Sequence, residues 1–269
     1  MRQRLTVFVI AALAFAVIAA GLVVRSRFTQ DLATASERAT RGATVIQTRC
    51  GPIEYEEAGA GSPLLMVHGS GGGHDQAMDF ARAFAQQGIR IIAPSRFGYL
   101  GTPLPADASP EAQADAHACL LDALRISRAG VLGASAGALS ALQTAIRHPD
   151  RVASLILVVP ITPRPFDAGA VGAGVAGARS DSEAPAESAA AAAAAAESAP
   201  APAPASLAER VLLWLIGSDF VYWSAIHVAR DPVIQRVLAT PPEVVHAASP
   251  AERMRVHAMV QRILPVSAR

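Results

Sequence analysis

The pentapeptide Gly133-Ala134-Ser135-Ala136-Gly137 constrains this chain more than any other five residues in it. It stands between a short apolar run at 129–132, read as a strand, and an amphipathic stretch at 136–147, read as a helix stopped by Pro149. A chain that turns from strand to helix in so few residues needs small neighbours. It also leaves one side chain, Ser135, exposed in a strained conformation at the crest of the turn. The helix start behind it offers free backbone N–H groups to developing negative charge. The same five residues also fit a serine in an ordinary Gly-rich turn, so the surrounding pattern has to decide.

That pattern alternates. Strands are expected at Thr44–Thr48 and Ile53–Glu57 (a hairpin around Gly51-Pro52), Pro63–Val67, Ile89–Pro94, Ala129–Leu132 and Ser154–Val159. Between them, 74–87 carries Met78, Ala81 and Phe84/Ala85 at helical spacing and ends at Gly88. Ser109-Pro110 opens a helix running to about Ile126. Strands alternating with helices give an α/β fold, a mostly parallel sheet with helices on both faces. The six expected strands leave an exposed sheet edge, an aggregation liability.

Outside 44–160 the chain changes character. Residues 5–24 are uncharged and apolar, and at helical rise twenty residues span about 30 Å, the thickness of a hydrocarbon core. The segment reads as a single transmembrane anchor. A cleaved signal peptide with Arg2 and Arg4 as its basic end is the rival reading, and a soluble core helix the third. Arg25, Arg27, Arg38 and Arg41 on the far side give no clean charge asymmetry, and the body is placed outside the cytoplasm. Residues 25–43 are polar and read as a stalk. Residues 168–205 are rich in Ala, Gly, Pro, Ser and Glu, with eight consecutive alanines at 189–196, and read as a disordered insertion. Ser206-Leu-Ala-Glu209 and Ser249-Pro-Ala-Glu252 have capping-box spacing and open helical stretches at 207–217 and 250–263.

Composition excludes several chemistries. All 23 basic residues are Arg, so a Lys Schiff base and a P-loop lysine are ruled out. A net charge of +1 advertises no nucleic acid. Cys50 and Cys119 are too few and too far apart for a zinc site, and no metal or other cofactor is expected.

A second motif favours the chemical reading of Ser135. His68-Gly69-Ser70-Gly71-Gly72-Gly73 follows the expected strand at 63–67. Its small residues let a loop approach the serine, where a backbone N–H can complete an oxyanion hole. It is not a phosphate loop, having neither G-K-[ST] nor G-x-G-x-x-G. His68 reads as a brace for this loop.

With Arg96-Phe97-Gly98-Tyr99 after the next strand and Arg147-His148-Pro149-Asp150-Arg151-Val152 before the last, these ordered blocks resemble the α/β-hydrolase family over roughly 44–160. The resemblance implies Ser135 as nucleophile, with the backbone N–H groups of Ser70 and Ala136 as oxyanion donors. It makes 161–263 a helical cap over a small-molecule pocket, and the aromatic Trp214, Phe220, Tyr222 and Trp223 point to an apolar substrate. Ser95 stands where many members have Asp.

The family also implies a later carboxylate and then a histidine, each after a further strand. No strand signal follows residue 160. Of the histidines after Ser135, His148 sits about 18 Å away along the helix, and His227, His246 and His257 fall on expected cap helices. Asp167 alone lies close behind the last strand. The expectation is that the chain lacks the C-terminal part of the hydrolase domain. Two functional readings follow: a membrane-anchored serine hydrolase acting on an ester-like small substrate, and a catalytically inactive remnant or ligand-binding protein. A third gives 168–205 a role as a partner-recruiting linker.

Overall fold

The computed structural model describes residues 2–159, 217–238 and 240–269. The expectations for the 168–205 insertion, for the helix opening at Ser206, for Asp167 and for Trp214 lie outside these residues.

Strands β1 (Thr44–Thr48), β2 (Gly51–Ala58), β3 (Ser62–Val67), β4 (Ile89–Pro94), β5 (Ala129–Ala134) and β6 (Val152–Val158) form one sheet in the order β1-β2-β4-β3-β5-β6. The β1–β2 hairpin and the β2–β4 pair are antiparallel; β4, β3, β5 and β6 run parallel. The central strands are buried on both faces, which is why they read as unbroken apolar runs. On β3, Leu65 and Val67 join Ile92, Val131, Leu120 and Ala141 in one core, while Leu64 and Met66 join Ile91, Met78 and Ala81 in the other. The period-2 alternation of a strand thus feeds two separate cores. Helices α3 (Pro110–Ala123) and α4 (Gly137–Arg147) cover the first face, and α2 (His74–Ala85) covers the second. Among the described residues β6 forms a sheet edge, with Ile156 and Leu157 exposed.

Local signals act as expected from their chemistry. Ser109 Oγ accepts from the Ala112 N–H to start α3. Helices α5 (Asp219–Val228), α6 (Arg230–Leu238), α7 (Pro242–Ala247) and α8 (Pro250–Gln261) follow. α8 opens on a complete Ser249/Glu252 capping box.

Helix α1 (Arg2–Thr40) is long and apolar enough to cross a membrane, and its apolar N-terminal part is exposed. The helix does not stop there. The polar segment expected as a stalk continues it to Thr40 and packs through Phe28, Ala35 and Ala39. Phe28 meets the edges of Phe220 and Trp223, and Trp223 Nε1 donates to Asp31 at 2.7 Å. Ala35, Trp223, Ile226, Ile234, Val245, Val260 and Leu264 form a third core.

Cys50 and Cys119 form a disulfide between the β1–β2 turn and α3, a pairing that a sequence separation of 69 hides from the sequence. Loop closure over that length is worth about 2–4 kcal/mol. Reduction is therefore expected to lower the melting temperature, and calorimetry with and without reductant checks it. An unchanged melting temperature would mean that the bond adds nothing to the fold.

Candidate active site

Ser135 has φ +50°, a left-handed conformation that costs a non-glycine residue energy and persists only where its surroundings impose it. Three observations show how it is imposed. The Ser135 N–H donates to the Val158 carbonyl at 2.9 Å, tying the turn to β6. A Cβ on Gly133 would fall 2.5 Å from Ala141 Cβ and 2.8 Å from Ala138 Cα, so α4 folds back directly onto β5. A Cβ on Gly137 would fall 2.3 Å from the His68 carbonyl oxygen, so α4 begins against the end of β3.

The same proximity brings in the His68–Gly73 loop. A Cβ on Gly69 would sit 3.1 Å from Ser135 Cβ and 3.7 Å from its Oγ. The N–H groups of Ser70 and Ala136 have no partner among the described residues. His68 is fully buried and holds this loop. Its Nδ1–H donates to the Gly69 carbonyl at 2.7 Å, and its Nε2 accepts from the Arg96 N–H at 2.9 Å. Burial, reinforced by the Arg96 charge, pushes its pKa down to about 3, so the ring is neutral and the tautomer follows from its two partners. Ser95 does not leave its site without a carboxylate. Its hydroxyl donates to Glu54 Oε2 at 2.6 Å, and the same oxygen accepts from the Gly101 N–H at 3.1 Å. Glu54, on β2, thus brings a carboxylate to Ser95, a function not visible in the linear motif.

The seven histidines are all engaged away from Ser135. His74 bonds Glu56 and the Ala39 carbonyl, and His117 bonds Thr144 in the core. His148 bonds Asp115, His227 the Trp223 carbonyl, and His246 Asp231. His257 lies 3.5 Å from Arg230. Among the described residues, Ser135 Oγ has neither a base nor a carboxylate within hydrogen-bond reach, and no cluster of metal-ligating side chains forms. The aromatic residues Phe220 and Trp223 pack on α1, and the Tyr222 hydroxyl donates to the Val260 carbonyl. They build a core and are not arranged around the serine.

Comparison with known proteins agrees with this architecture. The model of the alpha/beta hydrolase fold matches residues 62–184. A 2-hydroxymuconate semialdehyde hydrolase of Pseudomonas sp. (strain CF600) is 39% identical over 106 residues, 38% of this chain and 38% of the relative. A 2-hydroxy-6-oxo-6-phenylhexa-2,4-dienoate hydrolase of Comamonas testosteroni is 34% identical over 113 residues, 40% of each. The match thus spans only about two fifths of the length of these curated relatives. A solved alpha/beta hydrolase fold protein from Nakamurella multipartita is 30% identical, covering 84% of this chain and 68% of its own, with a TM-score of 0.46. By the family match, residues 62–184 belong to the α/β-hydrolase fold.

Proposed function

We propose that the protein is a membrane-anchored serine hydrolase that cleaves an ester-like bond in a small substrate. Ser135 Oγ attacks the carbonyl carbon as its proton passes to water, and the Ser70 and Ala136 N–H groups receive the charge on the carbonyl oxygen. Collapse breaks the C–O bond and releases the protonated alcohol, and water then hydrolyses the acyl-serine to the free acid. The observation that carries this reading is the left-handed backbone of Ser135, held by contacts with β6, α4 and the His68–Gly73 loop. The apolar part of α1 anchors the chain. The Cys50–Cys119 disulfide supports a body on the oxidising side of that membrane.

The engagement of every histidine elsewhere favours a second reading, a ligand-binding protein that keeps the fold without turnover. Fluorophosphonate labelling of the full chain in detergent separates the two. Labelling of wild type that disappears in Ser135→Ala is expected for the hydrolase. A folded chain that is not labelled sinks that reading and leaves the binding protein.

A further inference from the structure

Among the described residues, the Arg96 guanidinium has no counter-charge. Its Nε and Nη1 are buried and have no hydrogen-bond partner. Its nearest compensation is the Tyr99 ring, 5.4 Å from the guanidinium carbon. Burial lowers its pKa, and no carboxylate among the described residues contributes to its environment. The buried rings nearest in charge, His68 and His117, are both neutral, with pKa values pushed down to about 3 by burial. A half-buried cation with two shielded, unpaired N–H groups carries a desolvation cost that nothing around it offsets.

Arg96 lines a cavity of about 70 Å³ together with Phe97, Gln113, Ala136, Leu139 and Ser140, among others. Ala136 directly follows Ser135, so the cavity opens beside the strained turn. Its polar lining is dominated by donors. Gln113 spends its carbonyl oxygen on the Phe97 N–H, which leaves the amide NH2 to donate. The Ser140 hydroxyl donates to the Gly137 carbonyl at 3.3 Å and so adds no free donor, and no acidic side chain lines the space. The volume is well below the ~300–1,000 Å³ of a complete ligand pocket, so it accommodates one end of a ligand. A donor-rich cavity with an uncompensated guanidinium calls for an anion, and a planar carboxylate matches the guanidinium fork.

We propose that this cavity is a carboxylate subsite, in which Arg96 holds an acid group carried by the substrate while the substrate's ester bond lies at Ser135. The inference deepens the hydrolase reading by naming its substrate class, small esters that also bear a free carboxylate. It rests on that reading only for the placement of the ester. Arg96 is then the residue that selects among substrates, and its cost to stability is retained for that selection.

The test is equilibrium binding of monomethyl glutarate and of dimethyl glutarate to the full chain in detergent, by calorimetry. The half-ester is expected to bind on the order of tenfold or more tighter, the scale of a lost charge-assisted bidentate contact. Arg96→Gln should remove that preference, and Arg96→Lys should retain part of it, because the charge stays and the fork is lost. Ser135→Ala should leave the preference intact. Arg96→Gln should also melt at or above wild type, since it removes an unpaired half-buried charge. Equal binding of the two esters by wild type overturns the proposal, as does a preference that survives in Arg96→Gln. Both outcomes are also read in the Ser135→Ala background, where neither ester is turned over. A half-ester preference in a chain that fails fluorophosphonate labelling keeps the subsite and discards the hydrolase. Labelling without the preference does the reverse.

Discussion

Gly137→Ala is expected to destabilise the protein by about 3 kcal/mol, at the upper end of the usual overpacking cost. The added methyl would fall 2.3 Å from the His68 carbonyl oxygen and 2.7 Å from that of Val67. Both obstacles are backbone at the buried end of β3, so no side-chain rotation relieves the contact. Either α4 withdraws from β3 or β3 shifts with the loop behind it, and each movement separates Ser135 from Gly69. At ~2–4 °C per kcal/mol for a chain of this size, the melting temperature should fall by about 6–12 °C. Fluorophosphonate labelling, if wild type shows it, should drop with it. Gly130→Ala is the control. The nearest neighbours of its added methyl would be Leu64 Cδ1 and Ser154 Oγ, both 3.2 Å away and both side-chain rather than backbone atoms. A Gly137→Ala protein that melts with wild type would refute the close approach of α4 to β3.

Asp75→Ala should cost a similar amount for a different reason. The Asp75 carboxylate accepts from Arg269 Nη1 at 2.9 Å and Nη2 at 2.6 Å, and lies 3.5 Å from Arg38 Nε. The Asp75 and Arg269 side chains are 6% and 1% exposed. Removing the carboxylate strands a buried guanidinium, a change worth about 3–5 kcal/mol. The lower end applies here, because Arg38 is 30% exposed and keeps its bonds to the Arg262 and Leu264 carbonyls. Acid titration gives an independent readout. Burial alone would raise the Asp75 pKa, but the bonds and charge of Arg269 outweigh it and the net shift is downward. A carboxyl with a lowered folded pKa contributes its full stability above its unfolded pKa of about 3.9. That contribution is lost as pH falls from there through the folded value. Wild type should therefore lose stability over that acid range, and Asp75→Ala should lack this component. Melting curves of both proteins between neutral pH and pH 3 decide it, and parallel curves would show that Asp75 stabilises nothing.

Most of what positions Ser135 was readable in the residues. The strands are short apolar runs bounded by Gly, Pro and polar clusters, and each forms where those runs lie. The turn itself is local, five residues whose sizes encode the close approach of two elements. Features that depend on distant partners were not readable. Nothing in the sequence joins Cys50 to Cys119, since the sheet order brings the β1–β2 turn to α3. Nothing around Ser95 shows that Glu54 lends it a carboxylate across neighbouring strands. The polar composition of 25–43 concealed the packed face of Phe28, Ala35 and Ala39, because a helix buries one stripe while its average stays hydrophilic. Arg96 could be read as part of a motif, but its lack of a partner is visible only once its surroundings are in place.

The contacts between α1 and the C-terminal helices also have a consequence in time. Arg38 waits 226 residues for the Leu264 carbonyl, Asp31 waits 192 for the Trp223 indole, and Asp75 waits 194 for Arg269. Synthesis runs from the N-terminus, so the first helix leaves the ribosome long before the side chains that seat it exist. The sheet from β1 to β6 contains only earlier partners and can assemble meanwhile. The seam between the first helix and α5–α8 cannot close until those helices have been made, and until then the face of Phe28 and Ala35 stays open to chaperones.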